Sequence, residues 1–140
     1  MPPVSIEDRT AISDAIHAFF HLVDTGRASE TADLFADDAR LTFGPGSPQP
    51  GTIEGSAIRA AMIAREALTS AFTRHAVTNI RFEAGGSDVS AGYLLTLYRS
   101  DDDTRGSVPA FVADVAEVWR EDGSGWRMRE RIITPAFVRS

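Results

Sequence analysis

The sequence predicts an α+β fold in which N-terminal helices cover one face of a curved antiparallel sheet. Apolar residues recur at helical spacing through the first half and give way, from Thr73 onward, to extended runs separated by turn signals. Helices first and strands second is the order of a layered α+β domain, not of alternating βαβ units. No internal repeat or linker interrupts the chain, so one domain over 1–140 is expected.

The first helix is expected over 6–24, because Ser5 followed by Asp8 is a helix start and Ile12, Ile16, Phe19, Phe20 and Val23 then recur until Thr25-Gly26. A second short helix fits 30–37 through Leu34 and Phe35, and Arg40-Leu41-Thr42-Phe43 reads as a short strand. Gly44 to Gly51 is too proline-dense for a helix or a central strand and reads as a rim loop. A third helix, about 57–71, follows a Ser56 cap and gathers Ile58, Ala61, Met62, Leu68 and Phe72 on one side. Strands are expected over 73–83, 89–100, 110–120 and 126–134, the last two joined by the hairpin chemistry of Glu121-Asp122-Gly123-Ser124-Gly125.

Composition removes whole classes of function. A net charge of −6 opposes unassisted binding to nucleic acid or to an anionic membrane. The chain has no cysteine, and all 14 of its basic residues are arginine, which excludes thiolate, Schiff-base and Walker-lysine chemistry. No apolar run approaches the roughly 20 residues of a membrane span, and Met1 to Asp8 lacks the start of a secretion signal, so a cytoplasmic protein is expected. The glycines form neither a dinucleotide fingerprint nor a phosphate loop, and no cofactor is expected. What stays open is a small neutral or apolar ligand.

Among three histidines, His75 stands at the mouth of a strand, where a rigid backbone can hold a base that works near neutral pH. Asp24, in the last turn of the first helix beside Phe20, lies at the margin of the apolar face, within reach of a strand histidine. A carboxylate there orients an imidazole, fixes its tautomer and stabilises the imidazolium after proton capture. His17 and His21 share a stripe with Asp14 and Asp24 at a metal-gripping spacing, but that stripe lies opposite the apolar side and lacks the glutamate of a zinc-protease helix; no metal is expected. With a regular pleat, Arg127, Arg129 and Arg131 share one face, and Arg131 is best placed to polarise an oxygen because its surroundings become apolar. Asp114, set among Val112, Ala116 and Val118, is a candidate buried carboxylate, and Arg65 interrupts the apolar stripe of the third helix, either snorkelling or facing a cavity. The strand 111–119 is apolar on both sides, with Phe111, Ala113, Val115 and Trp119 on one and Val112, Ala116 and Val118 on the other. That pattern predicts a homodimer.

Three segments carry a family resemblance: Val23-Asp24-Thr25-Gly26 with Leu34-Phe35-Ala36-Asp37-Asp38-Ala39, then Thr73-Arg74-His75-Ala76-Val77-Thr78-Asn79, and Gly125-Trp126-Arg127-Met128-Arg129-Glu130-Arg131. Over about 6–138 the chain resembles the SnoaL-like, polyketide cyclase and dehydratase-type group of the nuclear transport factor 2-like superfamily. The resemblance implies a cone, a strongly curved antiparallel sheet wrapped around three helices and enclosing an apolar pocket, often dimeric. It also implies a cofactor-independent lyase or isomerase in which an Asp–His pair removes a proton from a small ring substrate. Asp24 and His75 fall at the places of that pair, Arg131 at that of a pocket arginine, and Phe19 where relatives carry a tyrosine or lysine that assists a leaving group. Phe19, Phe20, Tyr98 and Asp114 are the expected substrate-binding residues, with Tyr98 an alternative source of the missing phenol. The Thr-Arg-His-x-Val-Thr-Asn segment is similar also to structural β subunits of aromatic-ring-hydroxylating dioxygenases. A non-catalytic binding module is the remaining alternative.

Overall fold

A computed structural model describes residues 3–106 and 108–139; Met1 and Pro2, part of the segment read for a secretion signal, lie outside them. Helix α1 spans Ile6–Asp24, capped by the Ser5 hydroxyl, which accepts from the Asp8 N–H at 3.1 Å. A 3₁₀ segment, Ala28–Leu34, leads into strand β1, Phe35–Phe43, and a short strand β2, Gly51–Glu54, follows. Helix α2 covers Ser56–Ala67, then come β3 (Phe72–Gly85), β4 (Asp88–Ser100), β5 (Phe111–Asp122) and β6 (Gly125–Val138). The six strands form one sheet in the order β2-β1-β6-β5-β4-β3, antiparallel except for the β1–β6 pair. No helix among the described residues is long and apolar enough to cross a membrane.

Three expectations are corrected. The second short helix is a 3₁₀ segment that stops at Leu34, not 37, and Phe35 turns extended because its strand pairs with β6 opposite Met128, so tertiary pairing overrides local preference. Helix α2 ends at Ala67, not near 71, and its N-cap is Gly55 at φ +55, with Ser56 already inside the helix. Strand β2 begins at Gly51, where the expected rim loop ends, and has no counterpart in the sequence pattern, because four residues are too few to show a period.

The inner face of the sheet receives α1 through Ile12, Ile16, Phe19, Phe20 and Val23, all buried, against Tyr93, Leu95, Val115, Trp119, Met128 and Ile133. Each such side chain contributes about 1.5–3 kcal/mol by leaving water. Bulges bend the strands. On β3 the register slips between Thr78 and Arg81, where Asn79 sits at φ +59, and on β6 it slips opposite Val118 and Trp119, leaving Arg129 as the extra residue. Each bulge also inverts parity: Val77 and Ile80 both face inward, as do Met128 and Arg131.

Candidate functional site

The C-terminal turn of α1 and the first residues of β3 meet at Asp24 and His75. Asp24 Oδ2 accepts the backbone N–H of His75 at 2.8 Å, and Oδ1 accepts the Thr73 hydroxyl at 2.8 Å and faces His75 Nδ1 at 2.6 Å. Arg65 Nη2 donates to the Thr73 hydroxyl at 2.9 Å, and Arg74 Nη1 donates to the Asp24 carbonyl at 3.2 Å, quenching a free carbonyl at the helix end. Burial pushes the Asp24 carboxyl up, but the His75 hydrogen bond and charge, its N–H and Thr73 outweigh that and hold the group below the ordinary aspartate range. An ionised carboxylate only accepts, so the proton of the contact sits on Nδ1, and the neutral imidazole carries its lone pair on Nε2. The imidazole lies on the Phe20 ring, centroids 4.8 Å apart and planes 29° from parallel.

A second polar group lies inside the sheet. Arg131 on β6 and Glu117 on β5 are directly opposed, both 1% exposed, with Arg131 Nε donating to Glu117 Oε2 at 2.6 Å. The Tyr93 hydroxyl also donates to Oε2, and Trp119 Nε1 donates to Oε1 at 2.8 Å. Burial raises the Tyr93 phenol well above its ordinary value, Arg131 opposing and Glu117 reinforcing the shift, so Tyr93 stays a hydroxyl donor. Burial also acts to lower the Arg131 guanidinium, but Glu117 and Tyr93 outweigh it and leave it raised and charged. Its Cζ lies 4.0 Å from the Phe19 ring centroid and 5.0 Å from that of Phe20, so Phe20 touches both the imidazole and the guanidinium.

Of the expected site residues, the structure brings Asp24, His75, Phe19, Phe20 and Arg131 into one connected cluster. Tyr98 and Asp114 are not in it. Tyr98 is 40% exposed on the outer face, because β4 turns Tyr93, Leu95 and Leu97 inward and its even positions outward. Asp114 is likewise exposed between the inward Ala113 and Val115. The three arginines of β6 do not share a face: the Arg129 bulge turns Arg131 inward, while Arg129 pairs with Asp88 at 2.8 Å and Arg127 donates to the Asp33 carbonyl. Arg65 reaches Thr73 and thereby props the carboxylate. His17 and His21 are exposed on α1, and Asp24 turns away from them to His75.

Sequence reasoning missed Thr73, Tyr93, Glu117 and Trp119. Glu117 carries its own signal, since it alternates with Ala113, Val115 and Trp119 on the apolar side of the strand. A hollow of about 470 Å³ lies on the outer sheet face, bounded by Arg81, Glu83, Ser90, Val118 and Ile132, and one of about 220 Å³ lies between Asp37, Asp38, Arg120 and Arg127. Neither borders Asp24, His75 or Arg131.

A family model described as a SnoaL-like domain matches residues 4–132. No functionally curated protein matches the chain. Among solved structures, a nuclear transport factor 2-like protein with a cystatin-like fold from Novosphingobium aromaticivorans is 21% identical, covering 94% of this chain and 83% of its own, with a TM-score of 0.78. The protein Aln2 from a Streptomyces species is 19% identical, over 96% of this chain and 94% of its own, with a TM-score of 0.78. A Novosphingobium aromaticivorans protein assigned as the beta subunit of an aromatic-ring-hydroxylating dioxygenase is 18% identical, over 93% of this chain and 90% of its own, with a TM-score of 0.77. At these identities the likeness is one of fold.

Proposed function

The chain belongs to the SnoaL-like domain family, and on that premise we propose that it is a cofactor-independent lyase or isomerase that removes a proton from a small, mostly apolar ring substrate. The observation that carries the reading is the 2.6 Å contact between Asp24 Oδ1 and His75 Nδ1, reinforced by the same carboxylate's grip on the His75 N–H. His75 Nε2 takes the proton, Asp24 fixes the tautomer and balances the imidazolium, and Arg131 Nη2 stabilises negative charge developing on a substrate oxygen. Phe19 and Phe20 supply the apolar walls, and a ring ligand enters by displacing the Phe20 ring from its place against His75 and Arg131. The expelled group leaves without help from position 19, where a phenylalanine has no proton to give.

Incubation with a panel of ring alcohols, ketones and halides provides the test. Once one is turned over, His75→Ala should slow the reaction at least ~100-fold, the usual floor for losing a general base. Unchanged turnover rejects the role.

The fold match to a protein assigned as the beta subunit of an aromatic-ring-hydroxylating dioxygenase supports a second reading, a structural subunit of a ring-hydroxylating oxygenase. Purification from its native host separates the two. A homodimer alone supports the enzyme, and stoichiometric co-purification with a large iron-containing partner supports the subunit.

A further inference from the structure

We propose that Glu117 sets the charge of the ligand: by neutralising Arg131 inside the sheet it makes an uncharged carbonyl compound the preferred occupant and shuts out carboxylates. The inference rests on the reading that a small ring ligand occupies the space between His75 and Arg131. Glu117 acts through Arg131 and is a positioning residue.

Arg131 Nη2 is the one buried side-chain nitrogen without a partner among the described residues. A buried donor left unpaired is a standing free-energy cost, and its removal favours any ligand that brings an acceptor. An unengaged arginine would select a carboxylate by its two-pronged fork and its charge. Here Nε already donates to Glu117 at 2.6 Å, so one prong is spent and the positive charge is cancelled within the same pair. The other donors at the pair are committed as well, since the Tyr93 hydroxyl and the Trp119 indole N–H both point to Glu117. The site therefore offers the N–H groups of an unpartnered Nη2 but no net charge. A carboxylate placed there would bring a second negative charge beside Glu117 with no cation left to balance it, in surroundings where an unbalanced charge is heavily penalised. A ketone oxygen satisfies Nη2 and adds no charge.

Three probes of nearly equal shape test this on the full chain: acetophenone, benzoate and ethylbenzene, titrated while the Arg131 side-chain N–H resonances are followed by NMR. The wild type should bind acetophenone at least ~10-fold more tightly than benzoate, with the Arg131 resonances moving for the ketone and not for ethylbenzene. Glu117→Gln keeps the side-chain shape and an acceptor for Trp119 but removes the counter-charge. It should raise benzoate binding at least ~10-fold relative to acetophenone, whereas a loss of packing alone would weaken all three together. Benzoate binding as tightly as acetophenone to the wild type overturns the inference and leaves the ring-ligand reading standing, and this comparison decides even if the variant does not fold. An unchanged ratio in a folded Glu117→Gln protein also overturns it. Binding of none of the three to the wild type overturns both.

Discussion

Asp24 accepts from the His75 backbone, the Thr73 hydroxyl and the His75 ring at once, and each of those donors would otherwise be left poorly partnered. Asp24→Asn puts an amide donor into this set of donors, and we expect it to lower stability by about 1–3 kcal/mol. The carboxyl is held below its ordinary 3.8, so its stabilising contribution is complete above that value and is lost as pH falls through the lower folded pKa. Urea midpoints at pH 7, 4 and 3 should therefore fall more steeply for the wild type than for Asp24→Asn; parallel losses would contradict the assignment. The same residue scale shows what was legible in the sequence. Asp24 and His75 were readable because each stands at the end of a strongly patterned element. Glu117 was readable from strict alternation, yet Asp114 drew attention instead, because its apolar neighbours Val112, Ala116 and Val118 lie on the outer face.

Parity decides which residues of an element meet the interior, and bulges decide parity. Asn79 holds its bulge at φ +59, a region that Asn tolerates and β-branched residues do not. Asn79→Val should cost about 1–3 kcal/mol, and Asn79→Gly should be close to neutral, as read from denaturant midpoints. Equal losses for the two would show that the side chain, not the backbone, matters there. Bulges also mark the limit of the sequence reading. The boundaries of α1 were legible because its five core residues keep one helical period to Thr25-Gly26. The inward turn of Arg131 does not follow from a regular pleat, since the pleat breaks at Arg129, a residue with no local signal for a bulge. Strand β6 likewise runs on to Val138 past Pro135, which sits beside a second slip, opposite Val112 and Ala113, where a missing N–H is tolerated.

At the scale of the molecule, the outer face of the sheet is the feature left without a layer. Leu94, Val112, Val118 and Ile132 are half-buried there, and Val118 and Ile132 line a hollow of about 470 Å³ that has Arg81 and Glu83 of β3 at one side and Glu130 of β6 at the other. A two-fold partner could set each Arg81 near the other copy's Glu130, and we propose that a homodimer forms through this face. Val118→Glu should convert it to a monomer by light scattering without loss of helix signal. A dimer that survives the change locates the contact elsewhere.

The central claim is that the Asp24-held imidazole of His75 takes a proton from a bound ring compound. The most direct measurement is deuterium incorporation from D₂O into the α-carbon of 2-tetralone, followed by proton NMR with wild type, His75→Ala and Asp24→Asn side by side. The wild type should exchange at least ~100-fold faster than His75→Ala, with Asp24→Asn between them. Equal rates for wild type and His75→Ala, with the ketone shown to bind both, would contradict the account.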